Sequence, residues 1–270
     1  MSGRTIPPIL LVGCGRMGSA MLAGWRERGL APSVAVDPAP AALAFAGPDL
    51  RVVAEAAAIP SGFTPEAVVF AVKPQNAAAT LPDYAGYAGL SVFLSIMAGR
   101  TIGGMRPMLG AGAPIVRAMP NTPAAVRQGV TVACPGDGVG AAQRELCESL
   151  LRAIGAVAWV ENEALLDPVT AVSGSGPAYV FLLAELLEQA AKEQGIPPDL
   201  ARLLARQTVA GSGALLAASA EDAAALRQAV TSPGGTTERA LGVLMAADAW
   251  PRALSRAVDA ATQRSRELAG

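Results

Sequence analysis

The chain has 270 residues, 52% of them apolar and 16% charged, with a formal net charge of −1. That length fits one large domain or two small ones, and the composition supplies a core and excludes a disordered chain. A charge so close to zero gives no general attraction to nucleic acid or to an anionic membrane, and neither is expected as a partner. Histidine is absent, which excludes Ser-His-Asp and Cys-His catalysis, His-ligated zinc and any histidine general acid. Cys14, Cys134 and Cys147 are odd in number and widely spaced, so neither a metal site nor a disulfide framework is expected. Runs of about 18 uncharged apolar residues are missing, as is a basic, apolar and small-residue leader, and the expected location is the cytoplasm.

In chain order, Ile9 to Val12 reads as a buried strand running into Gly13-x-Gly15-x-x-Gly18 and then a helix from Ser19 to about Arg28. Val34 to Val36 is a second strand closed by Asp37-Pro38, and Val52-Val53 a third. Ala67 to Val72 and Ser91 to Ile96 are strong strands ending at Lys73-Pro74 and Met97-Ala98-Gly99. Ile115 to Met119 and Val130 to Ala133 follow. This alternation predicts a parallel sheet flanked by helices. Beyond about Glu161 the β signal vanishes. Tyr179, Leu182, Leu183, Leu186, Leu187 and Ala190 recur at helical spacing, and further helices are predicted around Leu200 to Leu215, Leu226 to Val230, Thr236 to Met245 and Pro251 to Leu268. The predicted fold is an α/β Rossmann-type domain over 1–162 followed by an all-α domain over 163–270.

The glycine motif sits between a strand and a helix, which is the setting for a dinucleotide pyrophosphate. Asp37 ends the second strand. There it either accepts from the adenosine ribose hydroxyls of NAD or simply starts the Asp-Pro turn. Arg and Lys are absent between Gly29 and Leu50, so a 2′-phosphate would find repulsion and no partner, a lean toward NADH over NADPH. Lys73-Pro74 and Met97 to Gly99 lie at the sheet edge that binds ligands in open α/β folds. Lys73 can equally be a solvated strand-end lysine. Asn121, in Arg117-Ala-Met-Pro-Asn-Thr-Pro123, either meets nicotinamide or belongs to a Pro-punctuated turn. Two segments of the helical half, Ser173-Gly-Ser-Gly-Pro177 and Ser232-Pro-Gly-Gly-Thr-Thr237, offer hydroxyls and amides at helix starts, suited to a carboxylate or to plain capping.

These segments, with Asp167 to Tyr179 and Val230 to Thr237 as the most specific, resemble in this order the pyrroline-5-carboxylate reductase family over nearly the whole chain. The resemblance implies reduction of 1-pyrroline-5-carboxylate to L-proline with NADH or NADPH, the last step of proline biosynthesis. It also implies a helical domain that interleaves with its partner in a homodimer and often builds a decamer. Carried onto matching positions, Gly13, Cys14, Gly15, Arg16, Met17 and Gly18, then Ala71, Val72, Lys73 and Pro74, then Met97, Ala98 and Gly99 would line the cofactor site with Asp37 and Asn121. Ser232, Gly234, Gly235, Thr236 and Thr237, with Ser175 and Gly176, would hold the substrate, Thr237 and Ser232 acting in catalysis. Asp37-Pro38 stands where many relatives have Ser or Arg. Two other readings remain at this point: a β-hydroxyacid dehydrogenase-like enzyme or imine reductase for another small carboxylate, and a non-catalytic NAD(P)-binding module. The first would need a lysine early in the second domain, and that region has only Lys192 at its far end.

Overall fold

The computed structural model describes residues 5–269 and divides into two compact units, Met1–Gly174 with Ala261–Gly270, and Ser175–Ala260. The first is built on a sheet of β1 (Ile9–Val12), β2 (Ser33–Val36), β3 (Leu50–Val53), β4 (Ala67–Phe70), β5 (Val92–Ser95), β6 (Ile115–Met119), β7 (Gly129–Pro135) and β8 (Gly155–Trp159). The spatial order is β3-β2-β1-β4-β5-β6-β7-β8, parallel throughout except between β6 and β7. Strands β1, β2, β4 and β5 are buried at every residue, as expected of a sheet covered on both faces. The chain runs outward from β1 to β3 and returns to β4, so the order reverses between β1 and β4. That reversal makes a crevice at their carboxyl ends, the standard ligand position of such sheets.

Helices α1 (Arg16–Glu27) and α4 (Ala141–Arg152) cover one face, with Met21, Leu22 and Trp25 meeting Cys147, Leu150 and Leu151. The Trp25 indole N–H donates to the Leu150 carbonyl at 3.0 Å, so the largest side chain of this face leaves no polar atom unpaired. The short α2 (Ala77–Thr80) and α3 (Ile102–Leu109) cover the other face, around Phe70, Tyr84, Phe93, Met105 and Leu109.

The predicted strands all form, with β8 as an addition, and α3 and α4 are further additions. Helix α3 carries Gly103, Gly104 and Pro107, which hide its periodicity, but Thr101 caps it by accepting from Gly104 N–H at 3.0 Å. Downstream, α5 (Leu166–Val169) and a π-helical turn, Thr170–Gly174, precede α6 (Gly176–Glu193), α7 (Pro198–Ala218), α8 (Ala223–Ala229), α9 (Thr236–Leu244) and α10 (Trp250–Ala269).

The division between units falls after residue 174, whereas the sequence places it after 162. The cause is packing. Leu166 and Ala171 are fully buried, and α5 packs against β6 and β7. The end of α10 returns to this unit as well: Ser265 Oγ donates to Asp167 Oδ1 at 2.7 Å, and the Leu268 main chain lies against Gly99.

The second unit has little interior of its own. Between residues 175 and 260 only Ala201 and Ala205 are buried, while Phe181 is 66% exposed and Leu182, Leu203 and Leu215 each more than half. Glu163–Glu193 is long and apolar enough by length and composition to cross a membrane, although its uncharged run, between Asp167 and Glu185, falls short of 18 residues as the sequence reading expects. The same apolar exposure continues onto α7.

Candidate active site

The glycine loop follows β1 at the reversal of strand order. Gly13 has φ 99°, and a Cβ there would come within 2.8 Å of the Ala71 carbonyl oxygen. A Cβ at Gly18 would collide with the Gly13 carbonyl. These two contacts draw α1 onto the sheet beside the Ala71 to Pro74 strand end. At Gly15, by contrast, an added Cβ would meet nothing within 4 Å. Gly15 is also the N-cap of α1, which has no side-chain cap and no acidic residue in its first turn. An open backbone before an uncapped helix start suits a pyrophosphate, which would receive amide hydrogen bonds and the positive end of the helix dipole. The residues present therefore fit a dinucleotide, with Arg16 exposed, Met17 half-buried and Gly18 buried behind the loop.

Asp37 does more than start a turn. Its Oδ2 accepts from Cys14 N–H at 2.6 Å and its Oδ1 from Ala39 N–H at 2.8 Å, so the carboxylate ties the β2 end to the glycine loop. An ionised carboxylate has about four acceptor sites, and two remain for ribose hydroxyls. Cys14 itself is buried. Burial, and secondarily the charge of Asp37, push its thiol up to about 11, so its amide and not its sulfur faces the chemistry.

Around the crevice, Lys73 and Ala98 are exposed, Ala71, Val72 and Pro74 half-buried, and Met97 buried in the core. A residue unremarked in the sequence, Arg100, joins the two loops by donating from Nε to the Pro74 carbonyl at 2.9 Å. Asn121 is committed internally. Its Nδ2 donates to the Ser173 carbonyl at 3.1 Å and its Oδ1 accepts from Val130 N–H at 2.9 Å. It thereby fixes the loop after β6 to the π turn, and direct cofactor contact falls to whatever donor capacity is left. Another unforeseen pair lies nearby. Glu163 Oε1 accepts from the buried Arg117 at 3.0 Å and from Ile102 N–H at 2.8 Å, linking β6, α3 and the entry to α5.

In the helical unit, Ser175 precedes α6 with no side-chain cap bond, but the expectation of a free helix start there needs correction. The π turn runs up to Gly174, and Ser173 Oγ donates to Val169 O at 3.0 Å. Helical hydrogen bonding thus arrives from upstream, leaving Ser175 and Gly176 at a junction between helical segments. π turns of this kind recur at functional sites.

The Ser232 to Thr237 turn is a true start. Gly235 is the N-cap of α9, without a side-chain cap bond, and its N–H donates to the Ser232 carbonyl at 3.0 Å. Gly234 has φ 71°. Ser232 and Thr236 are exposed, and Thr237 half-buried. Thr237 sits inside the first turn of the helix, so its hydroxyl is not the cap. Glu238, an N3 glutamate not singled out in the sequence, accepts at Oε2 from Gly234 N–H at 2.8 Å.

Comparison with known proteins agrees with both halves. A family model described as pyrroline-5-carboxylate reductase dimerisation matches residues 163–268, and one described as NADP oxidoreductase, coenzyme F420-dependent, matches residues 8–99. The pyrroline-5-carboxylate reductase of Pseudomonas aeruginosa is 38% identical over 271 residues, covering 97% of each chain. That of Mycobacterium tuberculosis is 42% identical over 231 residues, covering 74% of this chain and 76% of the relative. The solved pyrroline-5-carboxylate reductase of Coxiella burnetii superposes with a TM-score of 0.90 at 32% identity, covering 98% of this chain and 99% of the other. The Plasmodium falciparum enzyme, solved with NADP bound, gives 0.83 at 27% identity over 99% and 100%. With identity sustained along nearly its full length, the chain belongs to the pyrroline-5-carboxylate reductase family.

Proposed function

We propose that this chain reduces 1-pyrroline-5-carboxylate to L-proline, with the dinucleotide on the Gly13 to Gly18 loop and the substrate on the Ser232 to Thr237 turn. The bound dihydronicotinamide supplies the hydride to the imine carbon. The protein's task is to align the electrophile, exclude water and fix its charges, for which histidine is unnecessary. The turn's amides and Ser232 hold the substrate carboxylate, and Thr237 hydrogen-bonds the ring nitrogen, to which it or solvent delivers the proton. The observation that carries the assignment is Thr237. It is a hydroxyl in the first turn of α9 that leaves the N-cap to Gly235, so helix capping does not account for it.

The cofactor is NADH in preference to NADPH, because the Asp37 carboxylate is fixed at the ribose end by Cys14 and Ala39. The working unit is a homodimer or a higher homo-oligomer such as a decamer, supported by the exposed apolar faces of α6 and α7, in the cytoplasm, where three free thiols suit a reducing compartment. A hydroxyacid dehydrogenase chemistry is disfavoured by Lys192, whose ammonium is paired with Glu188 at 2.6 Å one turn away. The test is proline formation from 1-pyrroline-5-carboxylate with each dinucleotide, followed by cofactor absorbance and amino-acid analysis. Absence of proline with both overturns the reading.

A further inference from the structure

The turn that opens α9 already holds a carboxylate, and it belongs to the chain. Glu238 stands three positions beyond the N-cap Gly235, where a glutamate ordinarily reaches back to the N-cap amide. Here it reaches one residue farther, and its Oε2 accepts from Gly234 N–H at 2.8 Å. Gly234, at φ 71°, is one of the donors assigned above to the substrate carboxylate, and an amide has one hydrogen to give. Two anions cannot both take that hydrogen in full, and each also repels the other.

We propose that Glu238 is a specificity-determining residue that competes with the substrate carboxylate for the Gly234 amide and so weakens substrate binding. The inference rests on the turn being the substrate site. Its consequence is directional. Removing the charge of Glu238 tightens binding of an anionic substrate, opposite to what loss of a binding group does. Faster release of the product's carboxylate is the counterpart benefit. Two unit charges about 4.5 Å apart in water-like surroundings alter affinity by about fivefold.

The experiment compares wild type, Glu238→Gln and Glu238→Ala by steady-state kinetics at low salt and at an ionic strength of about 1 M, where the Debye length is about 3 Å. Glutamine keeps an oxygen for the Gly234 amide and loses only the charge. Alanine loses both. The expected result is a KM for 1-pyrroline-5-carboxylate about fivefold lower in Glu238→Gln at low salt, collapsing to less than about twofold at high salt, with the dinucleotide KM unmoved. Glu238→Ala, which also frees the Gly234 amide, should lower the KM further than Glu238→Gln, together with a lower Tm from the lost hydrogen bond to Gly234. A KM that is unchanged or raised in Glu238→Gln, or lowered equally at both salt concentrations, overturns the proposal. Failure of the underlying reading has a different signature: a wild-type chain that forms no proline, or a Thr237→Ala protein with undiminished kcat/KM, removes the turn as substrate site and this inference with it.

Discussion

Replacing Asp37 by Ser should narrow the preference between the two dinucleotides. In the structure the Asp37 carboxylate accepts two backbone hydrogen bonds, at 2.6 Å from Cys14 and 2.8 Å from Ala39, so it cannot swing aside to admit a second anion without abandoning both. A doubly charged 2′-phosphate about 5 Å from this fixed charge, in water-like surroundings, costs about 1.7 kcal/mol, roughly 20-fold in affinity. Two ribose hydroxyls bonded to the remaining acceptor sites of the carboxylate add a further 1.5 kcal/mol or more to NADH binding, about the lower figure for one charge-assisted bond. Wild-type kcat/KM should therefore favour NADH by about 200-fold, and Asp37→Ser, which removes the charge, should reduce that ratio by about 20-fold. The assay is kcat/KM with each cofactor at saturating imine, for both proteins and with salt held constant. A wild-type advantage of tenfold or more for NADPH refutes the argument, as does an Asp37→Ser protein whose ratio is unmoved.

Thr237→Ala should lower kcat/KM by about 2 to 4 kcal/mol of transition-state stabilisation while leaving Tm within about a degree, since the cap is Gly235. Normal kinetics would assign Thr237 to the scaffold. Glu163→Ala strands the Arg117 guanidinium, whose side chain is 5% exposed, and should cost about 3 kcal/mol in urea unfolding; a loss below 1 kcal/mol would mean that water reaches Arg117. Stability should fall as pH rises from about 9 to about 11, because the buried Cys14 thiol ionises near 11 when folded and near 9 when unfolded, so alkali favours the unfolded chain by about 1.4 kcal/mol per unit of difference. Burial acts on Cys147 and Tyr84 in the same direction. Cys14→Ser should flatten part of that decline, and an unaltered slope would assign it elsewhere. Unfolding midpoints should also rise with protein concentration, since the helical unit buries only Ala201 and Ala205 by itself, and light scattering that reports a stable 27.2 kDa species would contradict an obligate partner.

The parts of this molecule that could be read in advance are those with strong local causes. Buried parallel strands are continuous aliphatic runs, and the glycine spacing around β1 has one conformational use, realised at Gly13 and Gly18. Helix α3 escaped because its stability comes from Thr101, Glu163 and a buried face, while its own sequence holds two glycines and a proline. Strand β8 is a bare Gly-Ala-Val-Ala-Trp run that extends only because it lies along β7. The double commitment of Asn121 depends on partners 9 and 52 residues away, and no spacing rule reports such contacts. Glu238 was locally visible as an N3 glutamate, but its choice of Gly234 depends on the positive φ of that glycine.

The contact between Leu268 and Gly99 has a genetic consequence. An alanine Cβ at position 99 would come within 3.0 Å of the Leu268 carbonyl oxygen and 3.2 Å of its Cβ, at a backbone φ of 70°. The nearest obstacle is main chain, and the other is an atom carried by every residue except glycine. A Gly99→Ala lesion should therefore resist rescue by reshaping side chains at 268. Suppressors would have to be sought among residues that set where α10 ends, such as Ser265 and its acceptor Asp167. Residue 99 is thus constrained by the path of a helix far along the chain as much as by the cofactor loop to which it belongs.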